Sequence, residues 1–214
     1  MEITLKILLI ASSQRAGSKS FAVAQYVQKH LLNDKADIDS SILDISLFPF
    51  LLDHYGTGRD NAESLAQNKA QVLAQLYACD AVVFVVPEWG GMIPPALVNL
   101  LLLTANGSAN GLPLGHKPAF AIGISASGGG SNPISLLKGY AAKNSHLTWL
   151  PLHAIIENVD DFLNQAWAPQ LDNRVSQVQS RLSVGLQSLA IYAKQLANVR
   201  DELVELSKVH PFGQ

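Results

Sequence analysis

The sequence predicts a doubly wound α/β fold, a parallel sheet of five strands with helices on both faces. Three observations carry that expectation. The run Ala81-Val82-Val83-Phe84-Val85-Val86 is apolar at every position, as strands buried on both faces of a parallel sheet are. Further apolar runs of strand length alternate with segments whose apolar residues fall at helical spacing. The loops after the first, third and fourth strands are the richest in Ser, Gly and Pro, and open α/β sheets bind ligands at the carboxyl ends of their strands.

Leu5–Ile10 is the first strand, too short and too β-branched for a helix, and Phe21–Leu32 carries the first helical pattern. Ile38–Leu47 reads as a looser, edge-like strand. Pro49-Phe50-Leu51-Leu52 follows it and leads into a polar loop over Asp53–Asp60, in which His54 and Tyr55 are expected to be exposed. Asn61–Tyr77 is a helix, Ala81–Val86 the third strand, and Ala96–Leu103 a helix with Pro94 and Pro95 near its first turn. Thr104–Gly115, with three glycines, two asparagines and a proline, reads as a surface loop. Ala119–Ser125 is the fourth strand, Ile134–Asn144 a helix, and Leu147–Ile156 the last strand, its pattern interrupted by Pro151.

The first loop, Ala11 to Ser20, lies between a buried strand and a helix start. It offers unpaired first-turn amides, serine hydroxyls and one arginine, which suit an anion, phosphate above all. The plainer role for its serines is N-capping, by Ser18 or Ser20.

Composition narrows the class of protein. In 214 residues, 48% are hydrophobic and 15% charged, which fits one ordered domain with a full core and argues against disorder. A net charge of −2 gives no general attraction to nucleic acid or an anionic membrane. The single cysteine, Cys79, excludes an intrachain disulfide and a multi-cysteine metal site, and favours a reducing compartment. Six scattered histidines without H-x-x-H or H-E-x-x-H spacing give no metal motif. The start lacks a basic secretory region, and no run reaches the roughly 18 apolar residues of a spanning helix. The expectation is a soluble cytoplasmic protein.

From Asp172 to about Lys208 the chain has no proline and only Gly185 among glycines. Val175, Val178, Leu182, Leu189, Tyr192, Leu196, Val199, Leu203 and Leu206 fall on alternating three- and four-residue steps, interrupted only at Gly185, a seam of about five heptads. One continuous helix of that length would run roughly 55 Å. Packing on the chain's own sheet accounts for its first turns, and self-association for the rest.

Several motifs compete for the loops. A Walker-type phosphate loop is ruled out by the missing upstream glycine and by Ser18 between Gly17 and Lys19. No G-x-G-x-x-G follows the first strand, which disfavours Rossmann-type dinucleotide binding. Gly123-Ile124-Ser125-Ala126-Ser127 is one residue short of a G-x-S-x-G nucleophile elbow, with His146, His153, Asp160 and Asp161 downstream. A serine hydrolase using Ser125 is thus one alternative.

All three loops together resemble the NADPH-dependent FMN reductase family. Ser12-Ser13-Gln14-Arg15-Ala16-Gly17-Ser18 is similar to its G-S-x-R-x-G-S-x-N phosphate loop. Pro87-Glu88-Trp89-Gly90-Gly91-Met92-Ile93-Pro94 is similar to its P-E-Y-N-x-S-I-P-G flavin loop, and Ser125-Ala126-Ser127-Gly128-Gly129-Gly130 to its S-x-G-G-x-G loop. The resemblance spans residues 1 to about 160. It implies a flavodoxin-like sheet of order 2-1-3-4-5 and an FMN-binding domain over 1–165; the seam that follows makes 166–214 a C-terminal helical extension for oligomerisation. It also implies an oxidoreductase using FMN and NAD(P)H on a flavin, quinone or similar small acceptor; charge and hydropathy point to no nucleic-acid or membrane partner, and the seam to a homodimer or homotetramer.

Carried over by residue, Ser13, Arg15, Ser18 and Ser20 would hold the FMN phosphate. Pro87, Glu88, Trp89, Gly90 and Gly91 would lie along the isoalloxazine, and Ser125, Ser127, Gly128 and Gly129 would approach its other edge. No acid–base side chain is needed, because the cofactor performs the hydride chemistry. Ser20 and Gly90 stand where the family has asparagine, Trp89 where it has tyrosine, and Met92 and Pro95 where it has serine and glycine. A non-catalytic flavin-binding or assembly module is the other alternative.

Overall fold

The computed structural model describes residues 4–52, 62–105, 111–166 and 172–211, so the loop bearing His54 and Tyr55 lies outside the described residues. The sheet is parallel throughout, in the order β2-β1-β3-β4, with β5 and β6 sharing the far side of β4. Its strands are β1 (Leu5–Ala11), β2 (Ile38–Asp44), β3 (Ala81–Pro87), β4 (Pro118–Ile124), β5 (Thr148–Trp149) and β6 (Ala154–Ile156). This is the flavodoxin-like order. The last strand is split because Pro151 has no amide for the ladder. Pairing with β4 stops at Ala119↔Trp149 and resumes at Ile122↔Ala154.

Successive side chains of a strand point to opposite faces, so each apolar run feeds two cores. Leu8, Ile10, Val82, Phe84 and Val86 face α2 (Ala62–Ala78), α3 (Pro95–Leu103) and α4 (Ser131–Ser145). Ile7, Leu9, Val83, Val85 and Phe120 face α1 (Lys19–Val27), α5 (Val159–Gln165) and α6 (Asn173–Leu196). The first helical pattern starts two residues earlier than expected, at Lys19, and its last turn, Gln28–Leu32, is π-helical. β2 ends at Asp44, whose side chain accepts from Ser46 N and turns the chain into a 3-10 turn over Ile45–Leu47.

The C-terminal segment is two helices, not one continuous rod. α6 ends at Leu196, and α7 (Arg200–Ser207) starts after a turn. Much of the predicted seam belongs to the chain's own sheet: Val175, Leu182 and Leu189 are buried in the second core with Leu186 and Ala193. Gly185, which interrupted the seam, lies where the helix backbone meets the Phe120 ring. A Cβ there would stand 2.3 Å from the Phe120 ring carbon Cζ.

α7 buries no residue completely and lies beneath the amino-terminal end of the sheet. Arg200 faces Asp80 at 3.6 Å, His116 Nε2 and Ser207 Oγ share a hydrogen bond of 2.7 Å, and His146 Nε2 donates to Pro211 O at 3.0 Å. Beside them the buried Lys117 donates to Leu76 O and Tyr77 O, at 2.6 and 2.9 Å. A cation thus closes the carbonyl end of α2, where the helix dipole favours positive charge. Burial pushes the Lys117 ammonium below its ordinary range and the Cys79 thiol above its own. None of these groups is near the carboxyl ends of the strands.

Candidate flavin site

The loops after β1, β3 and β4 enclose a cleft of about 680 Å³. That is within the roughly 300–1,000 Å³ usual for small-molecule sites. Of the residues predicted for the site, Ser13, Arg15, Ser18, Ser20, Pro87, Glu88, Trp89, Gly90 and Ser125 line it. Gly91, Ser127, Gly128 and Gly129 stand in the same loops but outside the lining. Ala16, Gly17, Lys19, Ile124, Ala126 and Val159 join it without having been predicted. Val159 belongs to α5, whose seven residues are too few to show a helical period.

The first loop is anchored by Ser12, which is buried, takes its amide to Val85 O at 3.0 Å and turns its hydroxyl back to Ile10 O. Ser13 Oγ accepts from Arg15 N at 3.2 Å. Ser18 is the N-cap of α1: its hydroxyl accepts from Phe21 N and shares a 2.9 Å hydrogen bond with the buried Ser20. The capping role therefore takes up one lone pair of Ser18, while Lys19 and Ser20 present the helix start to the cleft. Arg15 spreads its guanidinium over the Trp89 ring, 4.5 Å from the centroid, and joins the first loop to the second. Lys19 forms an exposed ion pair with Asp160 at the mouth.

The second loop ends in a two-residue hairpin. Trp89 N donates to Met92 O at 2.9 Å and Met92 N to Trp89 O at 3.0 Å. Gly90 and Gly91 occupy the tip with φ of 57° and 82°, the left-handed pair that a type I′ turn requires. Glycine meets that requirement at Gly90 as asparagine would, but brings no side chain to the cleft. The third loop is held from below: Ser125 N donates to Ile156 O, Val159 N to Ser125 O, and Asn158 N to Ser127 O.

Among the described residues no histidine hydrogen-bonds Ser125 as nucleophilic catalysis requires. Its hydroxyl accepts from Ser127 N at 3.3 Å, while His146 sits at the opposite end of the sheet against Pro211 and Asp160 is paired with Lys19. Among the described residues no group of three or more His, Cys, Asp or Glu side chains comes together to hold a metal. No described helix is long and apolar enough to cross a membrane.

The residues present fit a flavin phosphate ester. A helix start with serines and a nearby arginine suits the phosphate, and an apolar floor of Ile124, Pro87 and Trp89 suits a planar ring. The model of the NADPH-dependent FMN reductase family matches residues 5–158, and the chain belongs to that family. It is an NAD(P)H-dependent oxidoreductase, a flavoprotein with FMN and NAD(P)H as cofactors.

Solved structures share the fold at low identity. An oxidoreductase from Corynebacterium diphtheriae superposes with a TM-score of 0.64 at 12% identity, over 91% of this chain and 99% of that one. The apo form of an NADH:FMN oxidoreductase gives 0.63 at 15%, over 86% and 90%. The flavoenzyme NAD(P)H:(acceptor) oxidoreductase FerB from Paracoccus denitrificans gives 0.61 at 15%, over 89% and 98%. No curated protein matches the sequence closely enough to count as a relative.

Proposed function

We propose that this protein passes hydride equivalents from NAD(P)H, through FMN held in the cleft, to a small acceptor such as a free flavin or a quinone. The observation that carries the reading is the convergence of the three strand-end loops on one cleft that joins a helix start and an arginine to an aromatic wall. When bound, FMN supplies the hydride chemistry itself. The chain's part is to bind, orient and shield. Ser13, Ser18, Ser20 and Arg15 take the phosphate end, with the α1 dipole adding to their attraction. Pro87, Trp89 and Gly90 form the wall along the ring, where Trp89 gives an apolar face for stacking, and Glu88 and Gly91 hold the loop that carries it. The loop from Ser125 through Ser127, Gly128 and Gly129 closes the far edge. No side chain is asked to move a proton.

The flavin-binding unit is proposed to span 1–165 and the helical extension 166–214, in a cytoplasmic homodimer or homotetramer. Val184 and Ile191, one heptad apart on α6 and 51% and 62% exposed, support self-association through that helix. Steady-state kinetics with NADPH and a quinone test the two-step transfer. Parallel double-reciprocal lines are expected. Bound flavin that neither NADPH nor NADH reduces under anaerobic conditions would instead mark a non-catalytic flavin-binding module.

A further inference from the structure

We infer that Glu88 is a positioning residue: it caps α4 from the neighbouring loop and so sets how far apart the second and third loops stand around the flavin. The inference rests on the flavin reading of the cleft, and it gives Glu88 a task other than contact with the ring.

α4 runs for 15 residues and starts from Gly130, which has a left-handed φ of 95° and no side chain to cap the helix. The acceptor comes from elsewhere. Gly130 N–H donates to Glu88 Oε2, a residue 42 positions away. A carboxylate in that place meets both an unpaired amide and the positive end of the helix dipole. The backbone of Glu88 is fixed as well, since its amide donates to Ile124 O at 2.9 Å and extends the pairing of β3 with β4. One residue therefore hydrogen-bonds both ends of the third loop.

The glycines of that loop are shaped to this grip. A Cβ on Gly129 would lie 2.7 Å from Glu88 Oε2 and 3.2 Å from Ser125 Oγ. A Cβ on Gly123, just below, would lie 2.1 Å from Gly130 O. Side chains there would push the loop off the carboxylate. The first turn of α4 also reaches the second loop, with Asn132 Nδ2 3.8 Å from where a Gly91 Cβ would be.

The same device occurs one loop earlier. α3 starts after Pro94, which has no capping side chain, and Ala96 N donates instead to Gln14 Oε1 of the first loop, at 3.2 Å. Each of these loops caps the helix that follows a neighbouring strand of the sheet, β3 for the first loop and β4 for the second, so the three walls of the cleft are joined in series. Glu88 is the second joint.

The test compares wild type, Glu88→Ala and Glu88→Gln by amide exchange at Gly130 and Ser131 in the apo protein, and by FMN affinity from flavin fluorescence. Losing a hydrogen bond to a charged group is expected to speed exchange and weaken FMN binding, each by roughly 10- to 100-fold in Glu88→Ala. Glu88→Gln keeps a carbonyl acceptor and is expected to restore both to within about threefold of wild type. Unchanged FMN affinity in Glu88→Ala overturns the inference. So does a Glu88→Gln variant that protects Gly130 normally yet binds FMN as poorly as Glu88→Ala, because the charge would then act on the ligand directly. Should Glu88→Ala not fold, Glu88→Gln decides alone: loss of protection at Gly130 with unchanged FMN affinity refutes the coupling. A wild type that binds no FMN would remove the flavin reading, while the exchange measurement would still report on the cap.

Discussion

Arg15 holds the cleft together at the scale of single residues, since its guanidinium lies on the Trp89 ring and its amide bonds Ser13. It is mostly exposed, so its contribution to the fold is small, while a phosphate would gain a charge-assisted bond from it. Arg15→Ala is expected to weaken FMN binding roughly tenfold with an unaltered circular dichroism spectrum. Equal affinity would place the phosphate elsewhere. Residue-scale features were unevenly legible. Arg15, Ser18 and Trp89 announced themselves because each sits in a strand-end loop, where little but turn chemistry and ligand binding explains its type. The caps by Gln14 and Glu88, and the buried Lys117 that closes the end of α2, join residues tens of positions apart. No local pattern encodes them.

At the scale of elements, α6 shows how one irregular residue can be a packing device. Gly185 costs helix propensity of about 1 kcal/mol relative to alanine but lets the backbone rest on Phe120. Gly185→Ala is expected to destabilise the protein by about 1–3 kcal/mol in urea unfolding, because overpacking outweighs the gain in propensity. An equally stable variant would mean that Phe120 moves aside freely. α7 is held more weakly, through polar contacts that include two histidines. Burial, and then the neighbouring His146, lower the proton affinity of His116 in the folded state, against a smaller opposing effect of a backbone hydrogen bond at Leu203. A histidine whose folded pKa is depressed favours the neutral, docked state. Its stabilisation is complete above the unfolded value of about 6.5 and is lost as pH falls below it. Protection of the α7 amides, taken relative to the intrinsic exchange rate at each pH, is therefore expected to fall between about pH 7.5 and 5.5, and His116→Gln to flatten that response. Protection that stays constant over this range would contradict it. The break before α7 was hidden in the sequence, since neither proline nor glycine marks Ala197–Val199. Contacts with Asp80, His116 and His146 hold the chain beyond that break in place.

For the whole molecule, strand order and cleft position were legible because they arise from pattern. β1, β3 and β4 are apolar on both faces, and the serine- and glycine-rich loops all fall at their carboxyl ends. The doubly wound topology then leaves one place for a ligand that touches three loops. The central claim is that FMN occupies it as a working cofactor. The most direct measurement is the absorbance spectrum of the protein, mixed with FMN, freed of unbound flavin by gel filtration and then treated anaerobically with NADPH. Flavin bands that elute with the protein and bleach on adding NADPH are the predicted result. Protein that emerges colourless, with all the FMN in the small-molecule fraction, would contradict it.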